Sequence, residues 1–239
     1  MANYNQEIIY NRGYQHNPVI PDLFSLSELV SIDKLQNGLF NIHIDSSTKW
    51  AKRAFDIFFS GLVLLLGLPI YLLIAVITKT SSKGPIFYTQ ERIGENGIPF
   101  QMIKFRSMRT DAEKDGPQTT SNQDPRITKW GNFMRKTHLD ELPQFWNVLK
   151  GDMAIVGPRP EREHFINQIV SISPSYKKLQ GIKPGITSIG QVYYGYAETV
   201  DQMVERMKYD LLYLTGVNLK TDLNIIYQTV KVMANGKGQ

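Results

Sequence analysis

The stretch that most limits what this chain can fold into is residues 57–77, twenty-one consecutive residues without a charge. As a helix it would extend ~30 Å, about the thickness of a bilayer hydrocarbon core. It is apolar on all sides, whereas a surface helix of a soluble domain needs a polar face, so a buried core helix is the weakest of the available readings. Two features complicate a simple crossing. Pro69, close to Gly67, removes a backbone donor and bends a helix. Basic residues also flank both ends, with Lys49, Lys52 and Arg53 before and Lys79, Lys83 and Arg92 after. By the preference of basic flanks for the cytoplasm, both ends belong on the same side. A helix that enters, breaks near Pro69 and returns to the same face satisfies both features; a kinked span is the alternative these residues leave open.

Composition narrows the chemistry. The absence of cysteine excludes disulfides and thiolate metal sites. Four histidines, none paired at helical ligand spacing, argue against zinc, while a hard cation held by carboxylates stays possible. The net charge of +5 suits anionic partners such as phosphates or acidic headgroups. No nucleic-acid motif is present, and the uncharged run argues against a nucleic-acid binder. Residues 1–47 read as a variable extension, with a capping box at Ser25-Leu26-Ser27-Glu28 and no signal-peptide pattern.

Residues 137–160 are the chemical centre. Two adjacent carboxylates, Asp140 and Glu141, precede a helix whose Leu142, Phe145, Trp146 and Leu149 share one face. Pro143 falls in its first turn, where a missing donor is tolerated, and is expected to turn both carboxylates toward one cleft. Gly157-Pro158-Arg159-Pro160 then forms a rigid turn presenting one guanidinium. A carboxylate pair beside a fixed arginine suits chemistry on a phosphate: a nucleophile or metal ligand, and a clamp for anionic oxygens. Arg135 lies within reach of the same anion. Upstream, residues 86–89 and 100–105 read as two strands joined through a turn at 94–97. Lys104, Arg106 and Arg109 cluster at the end of the second strand, as a phosphate-facing group or a membrane-surface patch. Residues 110–124 read as a loop able to close over a substrate. Helices are expected at 129–136, 161–171, 199–214 and 220–234, with an extended piece at 189–193. Trp130 and Trp146 suit either core packing or the headgroup level.

The order of motifs resembles the bacterial sugar transferase family, the monotopic polyprenyl-phosphate glycosyl-1-phosphate transferases. The matching pieces are Lys52-Arg53-Ala54-Phe55-Asp56, the apolar segment with Pro69, Gly84-Pro85-Ile86-Phe87, Lys104-Phe105-Arg106-Ser107-Met108 and Asp124-Pro125-Arg126-Ile127-Thr128. They continue with Leu139-Asp140-Glu141-Leu142-Pro143-Gln144, Gly151-Asp152-Met153, Gly157-Pro158-Arg159-Pro160 and Lys183-Pro184-Gly185-Ile186-Thr187. The resemblance covers roughly residues 48–235, and nine pieces in family order make coincidence remote. Ser188 stands where the family usually has glycine, and Ala154 and His138 replace usual serines. The large multi-span domain of longer members has no counterpart, so the chain resembles a near-minimal catalytic unit.

The resemblance implies an α+β fold, mainly helical, in three parts: an extension over 1–47, a re-entrant membrane helix over 48–82, and a cytoplasmic-face catalytic domain over 83–239 carrying a small β-hairpin. It implies transfer of a sugar 1-phosphate from a nucleotide sugar, usually UDP-linked, to a polyprenyl phosphate such as undecaprenyl phosphate, the first membrane-bound step of surface glycan assembly. Asp140 would be the nucleophile that carries the phosphosugar, with Glu141 orienting it, sitting near the metal or managing a proton. Mg²⁺ would be held partly by Asp140, with Glu141 as second candidate ligand. Arg159 and Arg135 would clamp phosphate, with Lys104 and Arg106 as further cationic contacts. Gln144, Asn147 and Asp152 would contact substrate or brace the site, and Pro158 and Pro160 would fix Arg159. The implied place is the cytoplasmic face of a bacterial inner membrane, as a monotopic protein, with a homodimer left open. The competing function is a non-catalytic membrane-anchored module that binds lipid phosphate or scaffolds a glycan-assembly complex. The motifs read phosphates, so the sugar is not specified.

Overall fold

A computed structural model describes residues 44–114, 116–120 and 124–234. The capping box expected at Ser25-Leu26-Ser27-Glu28 lies outside the described residues. The uncharged run forms two helices, α1 (Ser46–Leu66) and α2 (Leu68–Ser81), bent by 62° at Gly67. Asp45 starts α1 by accepting the Thr48 N–H at 2.7 Å. A Cβ at Gly67 would lie 2.5 Å from the Val63 carbonyl and 2.7 Å from the Tyr71 ring, so only glycine permits the close approach at the bend. Pro69 sits in the first turn of α2, where its missing donor costs nothing. The break thus lies next to Pro69 as expected: proline offers no N–H to the Leu65 carbonyl and starts the second helix, and glycine fits the close approach at the bend. No single helix among the described residues is long and apolar enough to cross a membrane, but the bent pair together is.

The pair is polar inside and apolar outside. Asp56, Ser60 and Thr78 are buried, while Phe58, Leu65, Leu66, Leu72, Leu73 and Val76 are 60–72 % exposed. Polar anchors fix the pair to the rest of the chain. Arg53 donates to the carbonyls of Val148 and Leu149 at 2.6 and 2.8 Å, and Asp56 accepts the Ile155 N–H at 3.0 Å. Lys52 pairs with Asp222 and reaches the Tyr213 hydroxyl at 2.7 Å. The Tyr71 hydroxyl donates to the Leu142 carbonyl at 2.9 Å, and the Trp130 indole to the Thr78 hydroxyl at 3.0 Å. Trp130 is thus tied to α2, whereas Trp146 is about half exposed.

The hairpin consists of β1 (Phe87–Ile93) and β2 (Pro99–Phe105), antiparallel with Phe87 opposite Phe105. The strands run longer than expected, since polar residues such as Gln90 and Glu91 pair through their backbones. Next come α3 (Lys129–Lys136), a 3-10 turn at Leu139–Glu141, α4 (Gln144–Lys150) and β3 (Ala154–Val156). They are followed by α5 (Glu163–Ile172), a 3-10 segment at Pro174–Gly181, and β4 (Gly185–Thr187). The chain closes with α6 (Ile189–Tyr193), α7 (Val200–Tyr213) and α8 (Leu219–Ala234). β3 and β4 form a second, parallel two-stranded sheet.

One local expectation is overturned. Residues 189–193 form α6, not an extended piece, and the strand lies just before them in β4. The Ser188 hydroxyl accepts the Gln191 N–H at 3.0 Å, and the Asp210 carboxylate accepts the Gly190 N–H at 2.8 Å. Two caps, one from a distant helix, outweigh the strand preference of a valine- and tyrosine-bearing segment. The main core joins Met153, Ile155, Ile169, Ile189, Met207 and Leu211, and a smaller one beneath α2 joins Ile74, Phe105 and Met134.

Candidate active site

The site begins where α3 ends. His138 adopts φ 55°, ψ 17°, a left-handed conformation unusual for a side-chain-bearing residue. It reverses the chain into the Leu139–Glu141 turn, and Pro143 then opens α4. This sets Asp140, 4 % exposed, on the wall of a cavity of about 420 Å³. Among the described residues its carboxylate carries no hydrogen bond. Burial pushes the Asp140 carboxyl up; Lys104 draws it down, Glu141 pushes it up, and Arg135 and His138 draw it down.

Glu141 is occupied differently. Its Oε1 accepts from Lys104 Nζ at 2.6 Å and from Arg159 Nη2 at 3.1 Å. Burial works against its charge, but Lys104 and Arg159 outweigh it and hold the carboxyl well below the usual carboxylate range. Two adjacent carboxylates thus have opposite characters: Glu141 is a paired anion that fixes two cations, and Asp140 is an unpaired one that faces open space.

Arg159 is held from behind. Gly157 passes so close to the Lys183-Pro184-Gly185 backbone that a Cβ would lie 2.3 Å from the Lys183 carbonyl. The Gly157 N–H donates to the Thr187 carbonyl at 3.1 Å, and the Gly185 N–H to the Pro158 carbonyl at 2.9 Å. Two separate motifs therefore form one backbone unit, extending the β3–β4 pair. Just beyond it, buried Asp210 accepts the Gly190 N–H at 2.8 Å. Burial pushes the Asp210 carboxyl up to about 6, against the pull of the Gly190 N–H and Arg206. Burial opposes charge on Arg159, yet Glu141 and Glu161 raise its proton affinity overall. Glu161 in turn pairs with Arg206 and with Arg92 at 3.2 Å, and Arg92 donates to the Pro160 carbonyl at 3.0 Å.

Not every residue singled out from the sequence meets at the cavity. Asp140, Glu141, Lys104, Arg106, Arg135 and Arg159 line it. Arg135 has no ion pair among the described residues. Arg106 is bound to the end of α2 through the carbonyls of Thr78 and Ser82 and the Ser82 hydroxyl, at 3.2, 2.8 and 3.0 Å. Its Nε and Nη1 are buried without a partner. Arg109 also lines the cavity, at an exposed position beside Asp111. Gln144, Asn147, Asp152, Pro158 and Pro160 do not line the cavity. Asn147 pins α4 to β2, accepting the Ile103 N–H at 3.0 Å and donating to the Gln101 carbonyl at 2.7 Å, and Asp152 accepts its second N–H at 3.0 Å. Gln144 is buried with Nε2 unpaired, and Pro158 and Pro160 are buried on either side of Arg159.

Sequence reasoning missed the cavity's outer cations and their partners. Arg162 pairs with Glu113 at 2.8 Å, and Gln90 donates to the same Glu113 oxygen at 2.9 Å. Arg126 holds the carbonyls of Ala112 and Thr119 at 3.2 and 3.0 Å. The described part of the 110–124 loop is thus pinned beside the cavity. Arg126 lies within Asp124-Pro125-Arg126-Ile127-Thr128 and Glu161 directly follows Gly157-Pro158-Arg159-Pro160, whereas Tyr196 and Asp210 have no local sequence signal.

Among the described residues no three histidine or acidic side chains converge as a metal-binding group. Asp140 and Glu141 are the acidic pair beside Lys104 and Arg159. Such a set fits an ion that brings its own phosphate and water ligands, as Mg²⁺ does, and not one caged by protein alone.

A family model described as bacterial sugar transferase matches residues 47–236. A UDP-glucose:undecaprenyl-phosphate glucose-1-phosphate transferase from Klebsiella pneumoniae is 41 % identical over 218 residues, covering 88 % of this chain and 47 % of the relative. A UDP-N-acetylgalactosamine-undecaprenyl-phosphate N-acetylgalactosaminephosphotransferase from Aeromonas hydrophila is 36 % identical over 215 residues, 90 % of this chain and 51 % of the relative. The galactosyl transferase CpsE of Streptococcus agalactiae is 39 % identical over 200 residues, 79 % of this chain and 43 % of the relative. The chain spans about half the length of these relatives. With the family model matched over residues 47–236 and relatives 36–41 % identical over most of its length, this chain belongs to the bacterial sugar transferase family.

Proposed function

We propose that this chain transfers a sugar 1-phosphate from a UDP-sugar to undecaprenyl phosphate or a related polyprenyl phosphate, opening surface glycan assembly. The observation that carries the reading is the buried, unpaired Asp140 carboxylate in a cavity where Lys104 and Arg159 are already fixed by Glu141. The names of the relatives support the substrate classes.

The reaction runs in two displacements. An Asp140 oxygen attacks the sugar-bearing phosphorus, the bond to the bridging oxygen breaks, and UMP leaves with the electron pair. An oxygen of the lipid phosphate then attacks the same phosphorus, and Asp140 departs as a carboxylate. Splitting the transfer lets one site serve a soluble and a lipid substrate in turn. Both steps bring anions together, so Arg159, Lys104 and Arg135 offset the repulsion. Glu141 keeps Lys104 and Arg159 in position. Mg²⁺ held by Asp140, with Glu141 adjacent, would add charge neutralisation on the diphosphate.

The outward apolar face of α1 and α2 supports insertion of the bent pair into the cytoplasmic leaflet, with both ends returning to one side. That depth brings the cavity to the headgroup level, where a soluble nucleotide sugar and a lipid phosphate meet. A non-catalytic lipid-binding module has no need of an unpaired buried carboxylate beside two fixed cations. Mixing the protein with undecaprenyl phosphate, Mg²⁺ and a panel of UDP-sugars should release UMP with at least one sugar. Absence of UMP release across a panel of hexose, N-acetylated and diamino sugars would refute the proposal.

A further inference from the structure

The two displacements use Asp140 and the cations beside it and leave other residues of the cavity wall without a task. Tyr196 is one of them, 38 % exposed. Its backbone is set on both sides. Gly195, at φ +91°, turns the chain out of α6, and Ala197 is buried. Beyond it the N–H groups of Glu198 and Thr199 donate to the Gln202 amide oxygen at 2.7 and 3.2 Å, at the start of α7. The ring is therefore presented by a fixed segment and not by a free loop.

Other aromatic rings that line the cavity are engaged. Phe87 stacks on Phe105 with centroids 5.2 Å apart, and the Tyr88 hydroxyl accepts from Gln90 at 3.0 Å. Tyr196 has neither a ring contact nor a hydrogen bond among the described residues. Ala197, Met203 and Phe165 add apolar surface to the cavity wall, and Gln118 and Thr119 add polar groups. Arg159, the cation held by Glu141, lines the same cavity. An open aromatic face, apolar surface and polar groups in one cavity with a cation match what a nucleotide presents: a flat base joined to an anionic chain.

Resting on the proposed transferase function, we infer that Tyr196 is the platform of a nucleoside subsite, on which the pyrimidine of the UDP-sugar stacks. The diphosphate then runs along Arg159 to bring the sugar-bearing phosphorus to Asp140. UMP, the leaving group, departs from this subsite, so the lipid phosphate can approach while the sugar phosphate stays on Asp140.

The test is equilibrium binding of UMP and of ribose 5-phosphate, measured by calorimetry on the full chain in detergent micelles. Tyr196→Ala should weaken UMP by about tenfold or more, the scale of losing one base–aromatic stack. It should leave ribose 5-phosphate unchanged, because that ligand keeps the phosphate and lacks the base. Tyr196→Phe, which retains the ring, should bind UMP within about threefold of the parent. UMP binding unaltered in Tyr196→Ala would overturn the inference, as would an equal loss for both ligands. A change only in preference among UDP-sugars, with UMP binding intact, would also overturn it by assigning the ring to the sugar. If the parent chain failed to bind UMP at all, the transferase reading itself would fall, an outcome distinct from the others.

Discussion

Replacing Arg159 with alanine separates the two tasks this residue is given. Its Nη2 lies 3.1 Å from the Glu141 Oε1, with both side chains largely buried. At that separation and an effective dielectric near 20 the gross attraction is about 5 kcal/mol, most of it offset by removing both charges from water. Glu141 keeps Lys104 at 2.6 Å after the substitution, so the anion is not stranded. The expected stability loss is therefore about 1–2 kcal/mol, below the range for a buried ion left alone. The catalytic loss should be larger, about 2–4 kcal/mol of transition-state stabilisation, or roughly 30- to 1000-fold in rate, because no other group is braced at that position by the Gly157-Pro158 backbone. Arg159→Lys should keep the ion pair and the stability yet recover only part of the rate, since an ammonium cannot engage two phosphate oxygens in a fork. UMP release under saturating UDP-sugar gives the rate, and denaturant unfolding gives the stability. A rate loss below a few-fold with the fold intact would reduce Arg159 to a turn residue. A rate loss accompanied by global unfolding of both variants would remove the clamp argument.

Further outcomes follow from other parts of the molecule. Asp140→Asn keeps the volume and removes the nucleophile, so turnover and the covalent phosphosugar adduct seen by intact-mass spectrometry should both vanish; substantial residual activity would exclude Asp140 as the attacking group. Asp210 has a folded pKa of about 6 against an ordinary value of 3.8, so its contribution to stability is present below pH ~4 and lost as pH rises through 6. Asp210→Asn keeps an acceptor for the Gly190 N–H and removes the buried charge, which should stabilise the fold at pH 7 by up to about 3 kcal/mol and change little at pH 4. Equal destabilisation at both pH values in urea unfolding would contradict this. Gly67→Leu drives a side chain into the Val63 carbonyl and the Tyr71 ring, so it should straighten or unfold the α1–α2 bend. Accessibility of single cysteines placed at either end of the pair, read with a membrane-impermeant reagent, should then cease to be one-sided; unchanged labelling would show that the bend does not depend on glycine.

Local pattern carried a large part of this protein. The uncharged run, the basic flanks and a helix breaker are local facts, and they foretold two apolar helices with a break between them. The hairpin and the helix at residues 129–136 were legible for the same reason, because strand alternation, turn residues and helix caps act over a few neighbours. Asp140, Glu141 and Arg159 were legible because their motifs are contiguous. What neighbours in sequence could not reveal was which residues share a space. Lys104 and Arg159 converge on one Glu141 oxygen from segments far apart in the chain, and only packing of β2 and the β3–β4 unit against the Leu139–Glu141 turn brings them there. Packing likewise bound Arg106 to the end of α2, turned Asn147 into a peg between α4 and β2, and made a helix of residues 189–193 through a cap from Asp210. The contrast between Asp140 and Glu141 has the same origin. Side by side in sequence they are equivalent carboxylates; burial and the placement of two distant cations leave one paired and the other open toward the cavity.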